Sequence, residues 1–144
     1  MTINFIQGNI FNSSCKCLIN PVNCDGTMGK GLALDFKKKY PNILKNYKLI
    51  CKTGVLVPGI IDVCFDYEKW ILNFPTKIRW YNPSKIEYIE LGLNAIVKLN
   101  EKLFLDSVAF PKIGSGLGGL DWIDVKKLII KILSPLDLKI EVYE

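Results

Sequence analysis

The sequence predicts an α/β domain, a mixed sheet covered by helices on both faces, and three observations carry that expectation. Strand-like runs alternate with amphipathic helical runs along most of the chain, which is the pattern of layered α/β domains. Two glycine-rich segments, 26–31 and 114–119, each stand between a strand-like run and a helix-like one. The 144 residues, 49% hydrophobic and 23% charged, suffice for one domain with a sizeable core over 1–144, with no internal repeat, linker or disordered tail.

Thr2 to Gln7 alternates apolar and polar residues and ends at Gly8, as a first strand does. After a short connection that starts at Asn9 and Ile10, Cys17 to Val22 reads as a buried strand, and Pro21 removes a ladder donor near its end. Lys30 to Tyr40 is the first helix, with Leu32, Ala33, Phe36 and Tyr40 on one face and Lys37, Lys38 and Lys39 at the end where cations complement the dipole. Pro41 separates it from a second helix, Asn42 to about Lys52, which turns Ile43, Leu44, Tyr47 and Ile50 inward and stops at Gly54. Gly59 to Phe65 and Lys69 to Phe74 form an antiparallel pair around a turn at Asp66 and Tyr67. Ser84 to Lys102 is a helix with Ile86, Ile89, Leu93 and Ile96 on one face and a capping box of Ser84 and Glu87 at its start. Ser107 to Ile113 is a strand, Trp122 to Leu133 a helix capped by Asp121, and Asp137 to Tyr143 a last strand.

Ligand chemistry is expected at the two glycine segments. Within NPVNCDGTMGKGLALDF (20–36) the chain passes from apolar strand through Gly26, Gly29 and Gly31 into a helix. Glycines let a ligand approach the main chain, and free N–H groups at a helix mouth favour an anion such as phosphate. Gly114, Ser115, Gly116, Leu117, Gly118 and Gly119 repeat the arrangement, so the pair of loops points to a diphosphate. For either loop alone, a tight connection shaped by glycine is the plain alternative. The second loop matches G-x-G-x-x-G through Gly114, Gly116 and Gly119 with Glu141 downstream, yet too little chain follows for a dinucleotide-binding domain to be expected. In the first, Lys30 is followed by Gly31 where a magnesium-binding phosphate loop needs Ser or Thr, which argues against a nucleotide triphosphatase.

The chain has no histidine, which excludes Ser–His and Cys–His catalysis and the commonest metal ligand; no metal or cofactor is expected. Cys15, Cys17, Cys24, Cys51 and Cys64 lack paired zinc spacing. With no secretion signal at the start and no run long enough for a membrane span, they read as reduced thiols of a cytoplasmic protein. Cys24, in the first loop, is a nucleophile only if something activates its thiol. The net charge of +5 permits an acidic or nucleic-acid partner without requiring one.

Lysine, carboxylate, amide and backbone groups remain for chemistry. Asn20 and Asn23 flank a strand end, where amides satisfy turn backbone or bond to sugar hydroxyls. Lys77 lies in PTKIRWYNP, followed by Arg79, Trp80 and Tyr81, a cation beside two rings, the mixture that binds phosphate and stacks an unpaired base. A solvated lysine, and a loop anchored by its aromatic residues, are the alternative readings.

Together, GNIF near the start, NPVNCDGTMGKGLALDF, NFPTK and FPKIGSGLGGLDW resemble a macro domain, in the expected order and over nearly the whole chain. The resemblance implies a three-layer α/β/α sandwich that binds ADP-ribose, its two glycine loops clasping the diphosphate and distal ribose. Within the family the sequence is similar to DarG-type antitoxin macro domains, which remove ADP-ribose from thymidine in single-stranded DNA and undo a DarT-type toxin. That implies a DNA-directed ADP-ribosyl glycohydrolase, with ADP-ribosylated single-stranded DNA as substrate, a DarT-type toxin as counterpart and no membrane partner.

By the same resemblance Lys77 is the catalytic lysine, acting as an amine on the anomeric carbon or as an ammonium that stabilises charge, and Asn23 is the amide near the distal ribose. Gly8, Asn9, Ile10, Asn20, Thr27, Met28, Gly29, Lys30, Gly31, Pro111, Ile113, Gly114, Ser115, Gly116, Leu117 and Gly118 carry over as ADP-ribose contacts, and Arg79, Trp80 and Tyr81 as DNA contacts. The rival functions are an ADP-ribose reader without catalysis and a hydrolase of ADP-ribosylated protein or O-acetyl-ADP-ribose. Two positions depart from the family pattern. Many macro domains have an aspartate where Asn9 stands, accepting from the adenine amino group. Glycohydrolases acting on terminal ADP-ribose carry an aspartate in the second loop where this chain has Gly118, which leans toward the DNA-directed branch.

Overall fold

The computed structural model describes residues 3–144. In chain order they form β1 (Ile3–Ile6), a 3-10 turn (Ile10–Asn12), β2 (Cys17–Val22), α1 (Gly31–Lys39), α2 (Ile43–Lys52), β3 (Asp62–Asp66) and β4 (Lys69–Pro75). Then follow α3 (Ile86–Leu103), β5 (Ser107–Phe110), α4 (Trp122–Leu133) and β6 (Lys139–Tyr143). The strands make one sheet in the order β1-β6-β5-β2-β4-β3, parallel at every neighbouring pair except β3 with β4. This is the mixed sheet of the expected α/β/α sandwich.

Alternation along the central strands sets the two helical layers. In β2, Cys17 and Ile19 point to a core shared with Ile89, Leu93 and Ile96 of α3 and Val125, Ile129 and Leu133 of α4. Leu18 and Val22 point the other way, to Phe36 of α1 and Ile43 and Tyr47 of α2. Each side chain so buried contributes about 1.5–3 kcal/mol over leaving it exposed. Close approach of α3 to the sheet depends on Gly92, where a Cβ would overlap the Phe74 ring. No helix among the described residues is long and apolar enough to cross a membrane.

Three expectations at element ends need correction. The capping box does not form: α3 starts at Ile86 with Lys85 at the N-cap position and no side-chain cap, because Ser84 N–H is committed to the Gly118 carbonyl at 2.9 Å and the chain stays extended through Lys85. The strand expected from Gly59 begins only at Asp62, since Val57 and Ile60 close a turn ahead of it. The strand ending at Ile113 ends at Phe110, where Pro111 removes the next ladder donor. Asp121 caps α4 as expected, its carboxylate accepting from Ile123 N–H at 3.0 Å. Met1 lies outside the described residues, as does Thr2 of the expected first strand.

This topology places the site. β2, β4 and β5 are parallel, so their C-terminal ends deliver the loops 23–30, 76–85 and 111–121 to one edge of the sheet. Open α/β sheets bind ligands at such an edge.

Candidate functional site

A cleft of about 1040 Å³ opens between these three loops. Its walls include Asn23, Thr27, Gly29, Lys30 and Gly31 from the first glycine loop, Lys77, Trp80, Tyr81 and Ser84 from the loop after β4, and Gly114 to Gly119 from the second. A second hollow of about 760 Å³, lined by Gly8, Asn9, Ile10, Phe11, Leu32, Asp35, Lys38, Lys39, Pro111 and Tyr143, adjoins the first at Leu32 and Pro111. The two form one groove, with Phe11 and Tyr143 beside the charged Asp35, Lys38 and Lys39 in the second hollow and Lys77 in the first.

Among the described residues, the amides of Gly31, Leu32 and Ala33 at the start of α1 have no acceptor, and neither have those of Gly116, Leu117 and Gly118 in the second loop. Two clusters of unpaired N–H donors thus belong to residues that line one cleft. The helix N-terminus adds partial positive charge to the first. The loops also meet: a Cβ on Gly31 would sit 3.1 Å from Leu117 Cδ1, so Leu117 leans over the start of α1.

The first loop is fixed by side chains. Asn23 Nδ2 donates to the Thr27 carbonyl and Oγ1, both at 3.1 Å, and its Oδ1 accepts from Asp25 N–H at 3.0 Å. The Tyr47 hydroxyl, buried in α2, lies 2.7 Å from Oδ1 and 2.8 Å from the carbonyl oxygen of Asn23 and donates its proton to that pair. Burial raises the Tyr47 pKa, so the phenol stays a donor throughout the ordinary pH range. Asn23 lines the cleft, but both ends of its amide are used to hold the loop.

Asp25 ties the first loop to the lysine segment. Its carboxylate accepts from Arg79 Nη1 and from Trp80 N–H, each at 2.8 Å, and Cys24 N–H donates to the Ile78 carbonyl at 2.8 Å. Burial opposes ionisation of Asp25, but the Arg79 and Trp80 bonds outweigh it and hold the carboxyl below its ordinary range. Arg79, expected at the DNA, is therefore engaged in a strut within the protein. Trp80 and Tyr81 remain 55% and 65% exposed and meet edge to face at 5.4 Å, and Lys30 Nζ lies 5.7 Å from the Trp80 ring centre.

Lys77 is partly buried in the cleft wall, and that desolvation lowers its pKa. Cys24 is no activated thiol: burial pushes its pKa up to about 11.

Three expected contacts lie beneath the cleft surface. Asn20 is fully buried, and its Nδ2 donates to Asn73 Oδ1 at 2.9 Å while Asn73 Nδ2 donates to Asp62 Oδ2 at 2.9 Å. The three residues are in register across β2, β4 and β3, forming a polar rung inside the sheet in which Asn20 Oδ1 has no partner among the described residues. Met28 packs into the core under α1 and α2, and Ile113 under α3 and α4. Gly8, Asn9 and Ile10 border the second hollow, where Asn9 Oδ1 accepts from Phe11 N–H at 2.9 Å.

Tyr47, Asp25, Ser84, Phe11 and Tyr143 were not singled out in the sequence as site residues. The aromatic character of Phe11 and Tyr143 was visible, but only the fold brings residues 11 and 143 to one hollow. Glu141, noted in a dinucleotide fingerprint, instead accepts from Ser13 Oγ at 2.7 Å and Tyr143 OH at 2.9 Å.

Comparison with known proteins accords with this geometry. The sequence model described as "Macro domain" matches residues 19–129. The chain belongs to the macro domain family. A DNA ADP-ribosyl glycohydrolase of Mycobacterium tuberculosis is 40% identical over 138 residues, covering 93% of this chain and 39% of that protein. The solved macrodomain of Mycobacterium tuberculosis DarG superposes with a TM-score of 0.93 at 39% identity, covering 98% of this chain and 96% of that one. Thermosipho africanus DarTG in complex with ADP-ribose gives a TM-score of 0.91 at 34% identity over 99% of this macro domain and 41% of that chain. The chain thus spans about two fifths of the length of the DNA ADP-ribosyl glycohydrolases it resembles.

Proposed function

We propose that this macro domain binds ADP-ribose along the groove and hydrolyses the N-glycosidic bond joining it to thymidine in single-stranded DNA, reversing a DarT-type toxin in the cytoplasm. The observation that carries the reading is Lys77, a desolvated amine in the same cleft as two clusters of unpaired amides. The amides suit the diphosphate, the hollow beyond Leu32, with Phe11 and Tyr143 in its lining, suits the adenine, and the nucleotide to be released lies toward Trp80 and Tyr81. The relatives named above, a DNA ADP-ribosyl glycohydrolase and a DarTG bound to ADP-ribose, support the choice of substrate. The toxin is a counterpart through the shared substrate. Five unpaired cysteines fit a reducing compartment.

Desolvation lowers the Lys77 pKa, which makes the amine form easier to reach than in a free lysine. The amine adds to the anomeric carbon as the bond to the base breaks; the base takes the bonding pair and a proton, and ring opening leaves an imine on Lys77. Water then hydrolyses the imine, returning ADP-ribose and the free amine. Holding the anomeric carbon against the amine supplies much of the rate.

Lys77→Ala is expected to abolish release of ADP-ribose from a modified oligonucleotide while ADP-ribose affinity by calorimetry stays within a few-fold. Turnover by the wild type rises with pH through a midpoint below about 10.4, the value of a free lysine. Turnover that falls across that range would assign Lys77 the ammonium role, and full turnover by Lys77→Ala would remove it from the reaction. Wild-type protein that binds ADP-ribose but releases none would make the chain a reader. Release from modified protein or O-acetyl-ADP-ribose in preference to DNA would place it among the other hydrolases.

A further inference from the structure

Ser84 does not cap α3, and its hydroxyl is otherwise idle. The residue is 5% exposed, and Oγ is buried with no hydrogen-bond partner among the described residues. A hydroxyl in that condition is costly unless a partner arrives. The same side chain lies in the cleft wall, against the second glycine loop. Ser84 N–H holds the Gly118 carbonyl at 2.9 Å, and a Cβ on Gly118 would overlap Ser84 Oγ, so the hydroxyl stands where a side chain at 118 would begin. The nearby carbonyl of Gly114 accepts from Leu120 N–H at 2.9 Å. Ser84 Oγ, which stands beside Gly118, and the amides of Gly116, Leu117 and Gly118 are all without acceptors, and all four residues line the cleft. An anionic oxygen is the complement of such a set.

We propose that Ser84 is a positioning residue for the second loop, its hydroxyl held for a phosphate oxygen of the ligand, so that binding supplies the missing acceptor and fixes the loop. The proposal rests on the reading of the cleft as an ADP-ribose site. It gives the two roles of the hydroxyl opposite signs. Without ligand the hydroxyl is a burden, and with ligand it is a bond to a charged group.

The test is calorimetry with ADP-ribose, paired with thermal melting in the absence of ligand, on wild type, Ser84→Ala and Ser84→Cys, the latter keeping shape with a poor donor. Both variants are expected to melt at or above the wild-type temperature and to bind ADP-ribose about tenfold more weakly, as loss of one hydrogen bond to a charged group implies. A hydroxyl with a purely structural role cannot produce that opposition. Affinity within twofold of wild type in either variant overturns the proposal, as does a melting temperature several degrees lower in both, or failure of both to fold. If the wild type itself gives no heat with ADP-ribose, the reading of the cleft falls instead. Loss confined to the variants cannot be mistaken for that result.

Discussion

The two glycine loops face each other across one cleft and present similar rows of free amides, yet they are held in opposite ways. The first is stitched by side chains: Tyr47 and Thr27 grip Asn23, and Asp25 takes Arg79 and the Trp80 amide. Among the described residues the second has almost no side-chain polar anchor, only Ser115 Oγ donating to the Ile113 carbonyl at 3.3 Å, and is shaped by backbone bonds and by the space Gly118 leaves empty. A loop held by several independent bonds loses stability in small steps. A loop held by backbone bonds and by the absence of a side chain fails on one added carbon.

Gly118→Ala tests this contrast with the largest expected effect. The new Cβ would overlap Ser84 Oγ and lie 2.5 Å from the Gly114 carbonyl, which is backbone and cannot swing away. Overpacking of this kind costs about 1–3 kcal/mol, and displacement of the loop removes its amides from the ligand. ADP-ribose affinity should fall about a hundredfold or more, since bonds to charged groups are worth about 1.5–3 kcal/mol each. Gly116→Ala, two residues earlier with open space around it, should leave the melting temperature of the unliganded protein unchanged. Equal melting temperatures for the two variants would show that the second loop is as forgiving as the first.

Tyr47→Phe probes the first loop and should have an intermediate effect. It leaves the Asn23 carbonyl and Oδ1 short of a donor inside the protein, a loss of about 1–2 kcal/mol seen in denaturant unfolding. Affinity for ADP-ribose should fall only a few-fold, because Asp25 N–H and Thr27 still hold Asn23. A loss as large as that of Gly118→Ala would mean that the first loop also hangs on a single contact.

The same contrast decides what the sequence could show. Local pattern was enough for the sheet, its four helices and both loops, because strand alternation, helical periodicity and glycine clusters are written in neighbouring residues. Lys77 enters the candidate site through the resemblance carried by NFPTK, since its local pattern alone suits a solvated lysine, and its partial burial depends on the fold. Roles that depend on a partner far along the chain are not written in neighbouring residues. Asn20, whose local pattern suits a turn amide or a sugar contact, is a rung to Asn73, 53 residues away, and through it to Asp62. Ser84 matched a capping box by spacing, but its amide was already taken by Gly118, a competition visible only once the two loops are brought together.

Arg79→Ala carries the smallest expected effect and separates two uses of one cation. As a strut, Arg79 forms an exposed ion pair with Asp25, and such pairs contribute little. Asp25 keeps its bond to the Trp80 amide, and Cys24 N–H still meets the Ile78 carbonyl, so the junction between the loops survives. Binding of the modified oligonucleotide should therefore weaken less than in Trp80→Ala, and its dependence on salt should match the wild type. Had the guanidinium been released to a phosphate of the strand, the slope of log affinity against log salt would become shallower by about 0.7, the value of one contact to single-stranded nucleic acid. An unchanged slope keeps Arg79 inside the protein and leaves recognition of the strand to Trp80, Tyr81 and the lysine that lies over the Trp80 ring, Lys30.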